Sequence, residues 1–321
     1  MDQIDKGIFY ALDANCRISY EDLARRFNLS ANAIKKRVMK LQELGVIKRF
    51  TVWLSLAMIN AEMFVAIAST DSNQNDEALI NAIGNSPMVH RVAPLANEDI
   101  MVFGEYVGAK GLSQLCRFIR GLDGISDIEI HTLLTDKGSQ VQLTKLQLRV
   151  LHHLRDDARI SIVDLANRSG LTARTIRRVL HQLGADKGSY RAFVLDDRIN
   201  PEYRASREPV HFRTIWNWTA GASFYCTAQM VYKETKGNPQ TLFVWLQKQF
   251  PLEHWYAYAS ASEPILFSRF FLNRIGDFEP IVRKIKRNPS VENLKTLISY
   301  PQRHFPSLRE LRLDEMLQES G

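Results

Sequence analysis

Cysteine is scarce: Cys16, Cys116 and Cys226 are the only three in 321 residues. Their odd number, wide spacing and lack of a C-x-x-C pair argue against a disulfide framework or a thiolate metal site. Reduced, mostly buried thiols are expected. Long apolar runs are missing too, since no stretch approaches the roughly 18–20 residues that cross a bilayer. The opening residues, MDQIDKGIFYALD, begin acidic rather than with the basic-then-apolar order of a secretory signal. A cytoplasmic protein with no membrane partner is the expectation. The short catalytic signatures are equally absent: there is no G-x-x-x-x-G-K, no G-x-S-x-G and no H-E-x-x-H. The residues themselves call for no catalytic group, no metal and no cofactor.

Apolar residues make up 45% of the chain and charged residues 24%, the averages of a globular protein. At this length two or more folding units are expected. The net charge of +7 is unevenly spread. Residues 1–60 carry +4, residues 61–134 carry −6, residues 135–200 carry +5 and residues 201–321 carry +4. Two basic segments separated by an acidic block favour local contacts with a polyanion over a uniformly sticky surface.

The basic segments repeat one another. A shift of 142 lays Arg17, Ile18, Ser19, Asp22, Leu23, Ala24, Arg26, Leu29, Ala31, Ile34 and Leu41 on identical residues. Eleven identities in twenty-five positions exceed chance. Upstream, Ile4, Ile8, Phe9 and Leu12 align with Leu146, Val150, Leu151 and Leu154, the spacing of one buried helix face.

Each copy reads as three helices. The first covers about 3–14 and 143–156, and the second about 20–26 and 162–168. Ser19 and Ser161 cap the second helix, with Asp22 and Asp164 in its first turn. A tight turn follows at Asn28 and Gly170, types that tolerate left-handed backbone. Ser30 and Thr172 then cap a third helix, which Gly45 and Gly184 close. VIKRFTVWL after Gly45 reads as a strand or wing, and GSYRAFVLDD stands in the corresponding place of the second copy.

Downstream of each helical unit, strands and helices follow a β-α-β-β-α-β order. Strands are expected at 62–70, 88–95, 98–107 and 125–134, and again at 222–232, 253–261, 264–272 and 290–299. Helices fall at 73–84, 110–121, 239–249 and 276–287. A shift of 165 lays ANEDIMVFGEYV on ASEPILFSRFFL, the hairpin linking the middle strands. The fold class is therefore α+β: two tandem units, each a winged helix-turn-helix followed by a ferredoxin-like βαββαβ domain. The expected boundaries are 1–58, 59–136, 140–200 and 208–300, with a loop near 197–220 and a helical tail in 301–321.

Helix, tight turn and basic helix form a DNA reader. The third helix has to enter a major groove about 12 Å wide with its first turns facing base edges. Ser30, Asn32, Ala33, Lys35, Lys36, Arg37 and Lys40 occupy that helix in the first copy. Thr172, Arg174, Thr175, Arg177 and Arg178 do so in the second. Asn reads adenine and Arg reads guanine in bidentate fashion, while Lys and hydroxyls grip phosphates. Ile34, Val38 and Leu41, like Ile176, Leu180 and Leu183, fall on the opposite face and belong to the core.

RISYEDLARRFNLSANAIKKRVMKLQELGVIKRFTV, with its Leu41-x-x-x-Gly45-x-Ile47 ending, resembles the DNA-binding half of the leucine-responsive/asparagine-synthesis (Lrp/AsnC) regulators. Residues 62–134 resemble the sensor module of that family. The resemblance implies dimerisation through the sensor, an amino-acid-like effector between subunits and double-stranded DNA as partner. It covers 2–134 and again 143–184, and is architectural over 210–300. The family's Gly-x-x-Asp-like turn appears here as Ala96-Asn97-Glu98-Asp99 and Ala261-Ser262-Glu263-Pro264. The first turn places the effector candidates at Asn97, Glu98 and Asp99.

A rival reading is an enzyme, because siroheme decarboxylases share this architecture and some are fused in one chain. His90, His131, His211 and His254 lie in the sensor-like blocks, without that family's histidine-bearing strand signature. A co-regulator that binds a partner protein is a third reading. The aromatics of the second block (Phe212, Trp216, Trp218, Phe224, Tyr225, Phe243, Trp245, Trp255, Tyr256 and Tyr258) are expected as core or interface rather than a ligand cage.

Single-unit relatives pair their readers by dimerising, and a fused pair achieves this within one chain as an intramolecular pseudo-dimer. The differing residues, Asn32/Lys36 against Arg174/Arg178, predict an asymmetric DNA site. Two such chains pairing as a homodimer would present four readers.

Overall fold

The computed structural model describes residues 1–71, 76–186, 208–217, 220 and 224–320. Two helical units bear out the repeat. The first comprises α1 (Gln3–Ala14), α2 (Tyr20–Phe27) and α3 (Ala31–Glu43). The second comprises α6 (Lys145–Leu154), α7 (Ile162–Ser169) and α8 (Ala173–Gln182). Ser19, Ser30, Ser161 and Thr172 each accept a hydrogen bond from the backbone N–H three residues on. Such caps satisfy donors that the helix leaves unpaired. Asn28 (φ 53°) and Gly170 (φ 63°) make the left-handed turns.

The wing is shared between units. Strand β1 (Ile47–Leu54) pairs antiparallel with β6 (Val210–Trp216) from the second half of the chain. The expected loop at 197–220 therefore contains a strand, one recruited by a partner some 160 residues away in sequence. GSYRAFVLDD, Trp218 and the start of the 222–232 strand lie outside the described residues. Each ribbon strand also bonds to the opposite helical unit. Phe50 O accepts from Ala158 N–H and Phe212 O accepts from Cys16 N–H, both at 3.0 Å.

The sensor-like block of the first half contains β2 (Glu62–Thr70), α4 (Asp76–Gly84), β3 (Val89–Pro94), β4 (Ile100–Tyr106), α5 (Gly108–Arg120) and β5 (Ile125–Leu134). Its counterpart contains β7 (Phe224–Tyr232), α9 (Pro239–Gln249), β8 (His254–Ser260), β9 (Ile265–Leu272), α10 (Phe278–Lys286) and β10 (Val291–Ser299). Strand orders β5-β2-β4-β3 and β10-β7-β9-β8 are the ferredoxin-like order twice over. A short β11 (Arg303–His304) on the β3 edge and a last helix, α11 (Leu308–Ser320), complete the described chain.

The two sheets join at both edges. Leu133 and Leu134 of β5 pair with Ser260 and Ala259 of β8, and at the other edge Leu95 bridges to Ser299 at the end of β10. Ala96 N–H and Tyr300 N–H extend that second seam, to Ile298 O and Pro94 O. Closure turns one face of every strand inward. Phe103 on β4 and Tyr258 on β8 lie three strand positions apart, roughly 14 Å across a flat sheet. Their ring centroids are 5.9 Å apart.

Helices cover the outside. Val102 joins the cluster under α4 and α5, and Phe270 packs on Phe250 and Phe278. The 165-residue offset needs one correction here. It fits β3 and β8, but Phe103 and Arg269 share the inner face, so β4 and β9 are offset by 166. With a side-chain period of two, that single residue exchanges faces.

Phe212, Trp216, Tyr225, Phe243, Trp255, Tyr256 and Tyr258 of the second block are core, whereas Trp245 is half-buried and Phe224 is 41% exposed. Phe9 of α1 contacts Trp216, Trp255 and Phe271, and both indole N–H groups donate to Asp13, at 3.2 and 3.1 Å. The first helical unit thus rests on the second sheet.

Candidate nucleic-acid interface

Helices α3 and α8 bury one stripe each. Ile34, Val38 and Leu41 are at most 3% exposed, and Ile176, Val179, Leu180 and Leu183 at most 5%. Val179 adds to the expected set. The buried stripes fix which residues face out. Ser30, Asn32, Lys35, Lys36 and Lys40 are exposed on α3, as are Thr172, Arg174, Arg177 and Arg178 on α8. Ala33 and Thr175 are half-buried, and the Thr175 hydroxyl meets that of Thr172 at 2.9 Å. The structure brings each expected reading set together on one helix face.

One member differs. Arg37 Nη1 donates to Asp2 Oδ2 and Asp5 Oδ1, both at 2.7 Å, and its side chain is 32% exposed. Its hydrogen bonds to the Asp2 and Asp5 carboxylates raise its pKa above the ordinary arginine value. Its charge is therefore offset within the first unit. Val179 fills the matching position in the second. Among the described residues Lys35, Lys36, Lys40, Arg174, Arg177 and Arg178 form no ion pair, so the second unit presents three free guanidiniums and the first three free ammoniums. Composition misses this difference, because the acids that offset Arg37 stand 32 and 35 residues before it.

Both copies match one family model, winged helix-turn-helix DNA-binding, over residues 1–48 and 143–184. An uncharacterized HTH-type transcriptional regulator of Pyrococcus abyssi is 25% identical over 135 residues, which cover 42% of this chain and 92% of that protein. The HTH-type transcriptional regulator LrpC of Bacillus subtilis is 27% identical over 99 residues, covering 30% of this chain and 69% of LrpC. The chain is similar to regulators of the Lrp/AsnC kind.

This chain carries two such helical units where the Pyrococcus relative aligns with 42% of it. Its whole-length architecture is similar to the crystal structure of the siroheme decarboxylase NirDL, with a TM-score of 0.55 at 12% identity, covering 99% of this chain and 98% of that one. At that identity the likeness is one of fold.

The remaining candidates are dispersed. Asn97, Glu98 and Asp99 form the β3–β4 turn, with Asn97 Nδ2 donating to Asp99 Oδ2 at 2.7 Å and Thr70 Oγ1 donating to Glu98 O at 2.8 Å. Glu98 adopts left-handed backbone, φ 70°. His131 lies between Ser260 and Glu129, and His254 lies among Phe243 and Phe270 on the helix-covered side. His90 Nδ1 is 3.3 Å from Glu105 Oε1, and His211 pairs in register with Trp53 on the ribbon. No helix of the described residues is long and apolar enough to cross a membrane.

Proposed function

We propose that this chain is a DNA-binding transcriptional regulator that holds one asymmetric site with two readers. The observation that carries the reading is the pair of basic helices, each capped, oriented by a buried stripe and exposing cations without carboxylate partners. Asn32 and Arg174 stand at the base-facing starts of the helices. Lys35, Lys36, Lys40, Arg177 and Arg178 are placed for phosphates, with the Ser30, Thr172 and Thr175 hydroxyls beside them. Arg37 contributes least, because Asp2 and Asp5 already hold it. The names of the relatives support regulation. An amino-acid-like effector at the Asn97–Asp99 turn, a homodimer of these chains and a cytoplasmic location complete the proposal. The tetrapyrrole-enzyme reading has fold likeness at 12% identity behind it, and among the described residues His131 and His254 share no contact.

The test is fluorescence anisotropy with mixed genomic DNA fragments across a salt series. Wild type is compared with Lys35/Lys36/Lys40→Ala and with Arg174/Arg177/Arg178→Ala. Each lost phosphate contact should make the slope of log K against log salt shallower by about 0.9. Binding that ignores both triple substitutions sinks the reading, and an absorbance shift with a carboxylated iron porphyrin would then favour the enzyme.

A further inference from the structure

Inside the closed sheet stand two arginines, Arg91 and Arg269, that pair with no acid among the described residues. Arg91 on β3 pairs in register with Phe103 on β4, and Tyr256 on β8 pairs with Arg269 on β9. These are matching positions in the two halves, with arginine and aromatic ring exchanged. Both guanidiniums therefore enter the same interior space. Arg91 Cζ lies 3.9 Å and Arg269 Cζ 5.1 Å from the centroid of the Phe103 ring. Arg269 is fully buried and Arg91 is 8% exposed.

Their bonding is lopsided. Nη1 of each arginine donates to Tyr256 Oη, at 2.7 Å from Arg269 and 3.4 Å from Arg91, and Tyr258 Oη donates to the same oxygen at 2.7 Å. Among the described residues, Nε and Nη2 of both arginines have no hydrogen-bond partner. Those two N–H groups form the side-on fork that grips a carboxylate or phosphate through two parallel bonds. Stacking on Phe103, Tyr225 and Trp255 steadies the positive charge, but ring faces accept nothing from in-plane N–H groups. Tyr256 is a weak counter-charge. Burial alone would raise its phenol, and Arg269 and Arg91 together pull it below the ordinary tyrosine value.

We propose that the open forks of Arg91 and Arg269 are a receptor for a carboxylate carried on an aromatic or extended apolar body, bound inside the closed sheet. The forks supply recognition of the oxyanion, and the surrounding rings supply the apolar wall. One arginine comes from each half, so the ligand bridges the two halves of the chain. The site is separate from the Asn97–Asp99 turn and does not depend on DNA binding.

Three probes are titrated into the full chain while tryptophan fluorescence is followed, Trp255 being 5.6 Å from Arg269 Cζ. The probes are phenylpyruvate, its methyl ester and inorganic phosphate. Saturable binding of phenylpyruvate at millimolar concentration, with no response to the ester, is the expected result. Response to phosphate alone, or equal response to the ester, overturns the proposed ligand class, and silence from all three overturns the site. Arg91→Met and Arg269→Met should weaken binding by roughly tenfold or more. They should also leave the ligand-free melting temperature unchanged or higher, since a charge kept for a ligand is a liability to the empty chain. Lower melting temperatures in both variants would mark the arginines as structural and overturn the site. If either Met variant fails to fold, Arg91→Lys and Arg269→Lys keep the charge without the fork and should still lose phenylpyruvate.

Discussion

Arg17 and Arg159 make matching hydrogen bonds in opposite directions between the two helical units. Arg17 Nη1 donates to Ala158 O and Ile160 O, at 2.6 and 3.2 Å. Arg159 Nη1 donates to Cys16 O, and to Ile18 O at 3.0 Å. The residues are 142 positions apart, so the exchange marks a two-fold relation built into one chain. A bond of this kind to a charged donor contributes about 1.5–3 kcal/mol. Arg159 also stacks over Tyr20 at 4.6 Å and Phe50 at 5.5 Å. Arg159→Ala should therefore destabilise more than Arg17→Ala, each by roughly 1–3 kcal/mol, in urea unfolding. Equal and negligible losses would show that the ribbon alone holds the readers together.

The ion pairs of Arg37 make a prediction about DNA affinity. Asp2→Asn/Asp5→Asn preserves helix capping, since Asn caps as well as Asp, yet frees the guanidinium. Binding at low salt should tighten and the salt slope should steepen by about 0.9. If the double variant binds like wild type, Arg37 lies away from the phosphates.

Glu105 is fully buried beneath α11, where Arg309 Nη2 and Nε donate to its Oε1 at 2.7 and 3.0 Å. Removing either partner strands a buried charge, so Glu105→Ala and Arg309→Ala should each cost about 3–5 kcal/mol. Chemical denaturation at neutral pH checks both.

Acid should erode stability over two overlapping pH ranges. Burial would raise the Glu105 carboxyl, but Arg309 and His90 hold it down to about 2, against 4.5 in an unfolded chain. A depressed carboxylate stabilises fully above pH 4.5, and that contribution is lost as pH falls toward 2. His211 is pushed down to about 3 by burial, Arg309 and Arg213, against 6.5 unfolded. It stays neutral in the fold, so its contribution is complete above 6.5 and lost as pH falls to about 3. Glu105→Gln should flatten the lower range of a urea-midpoint-versus-pH curve. His211→Gln should flatten only part of the upper one, because burial, Arg91 and His90 push His304 to about 3 as well.

Gly104 lies where β4 passes the chain before β3. A Cβ there would stand 1.8 Å from Met88 O and 2.6 Å from the Phe64 ring. Backbone cannot yield cheaply, so Gly104→Ala should destabilise by about 1–3 kcal/mol or more. An unchanged melting temperature would show that Met88 moves aside.

What the sequence shows best is what is local. Caps at Ser19, Ser30, Ser161 and Thr172, the turns at Asn28 and Gly170 and the stripe Ile34–Val38–Leu41 all act within one or two helical turns. Propensity, period and capping chemistry therefore point the same way there. The reader faces were legible for that reason. The offset at β4 and β9 was less so, because a one-residue shift preserves the apolar pattern while exchanging faces.

By itself the sequence determined that there are two readers, that each is followed by a βαββαβ block, and which helix faces carry the cations. Only the tertiary structure decided that β6 completes the wing with β1, that Arg37 is offset by Asp2 and Asp5, and that Arg91, Arg269 and Tyr256 meet inside a closed sheet. The physical reason is distance along the chain. Helix faces and caps are set by neighbours three or four residues away. Which charges meet in a buried interior is set by closing sheets whose strands lie more than a hundred residues apart.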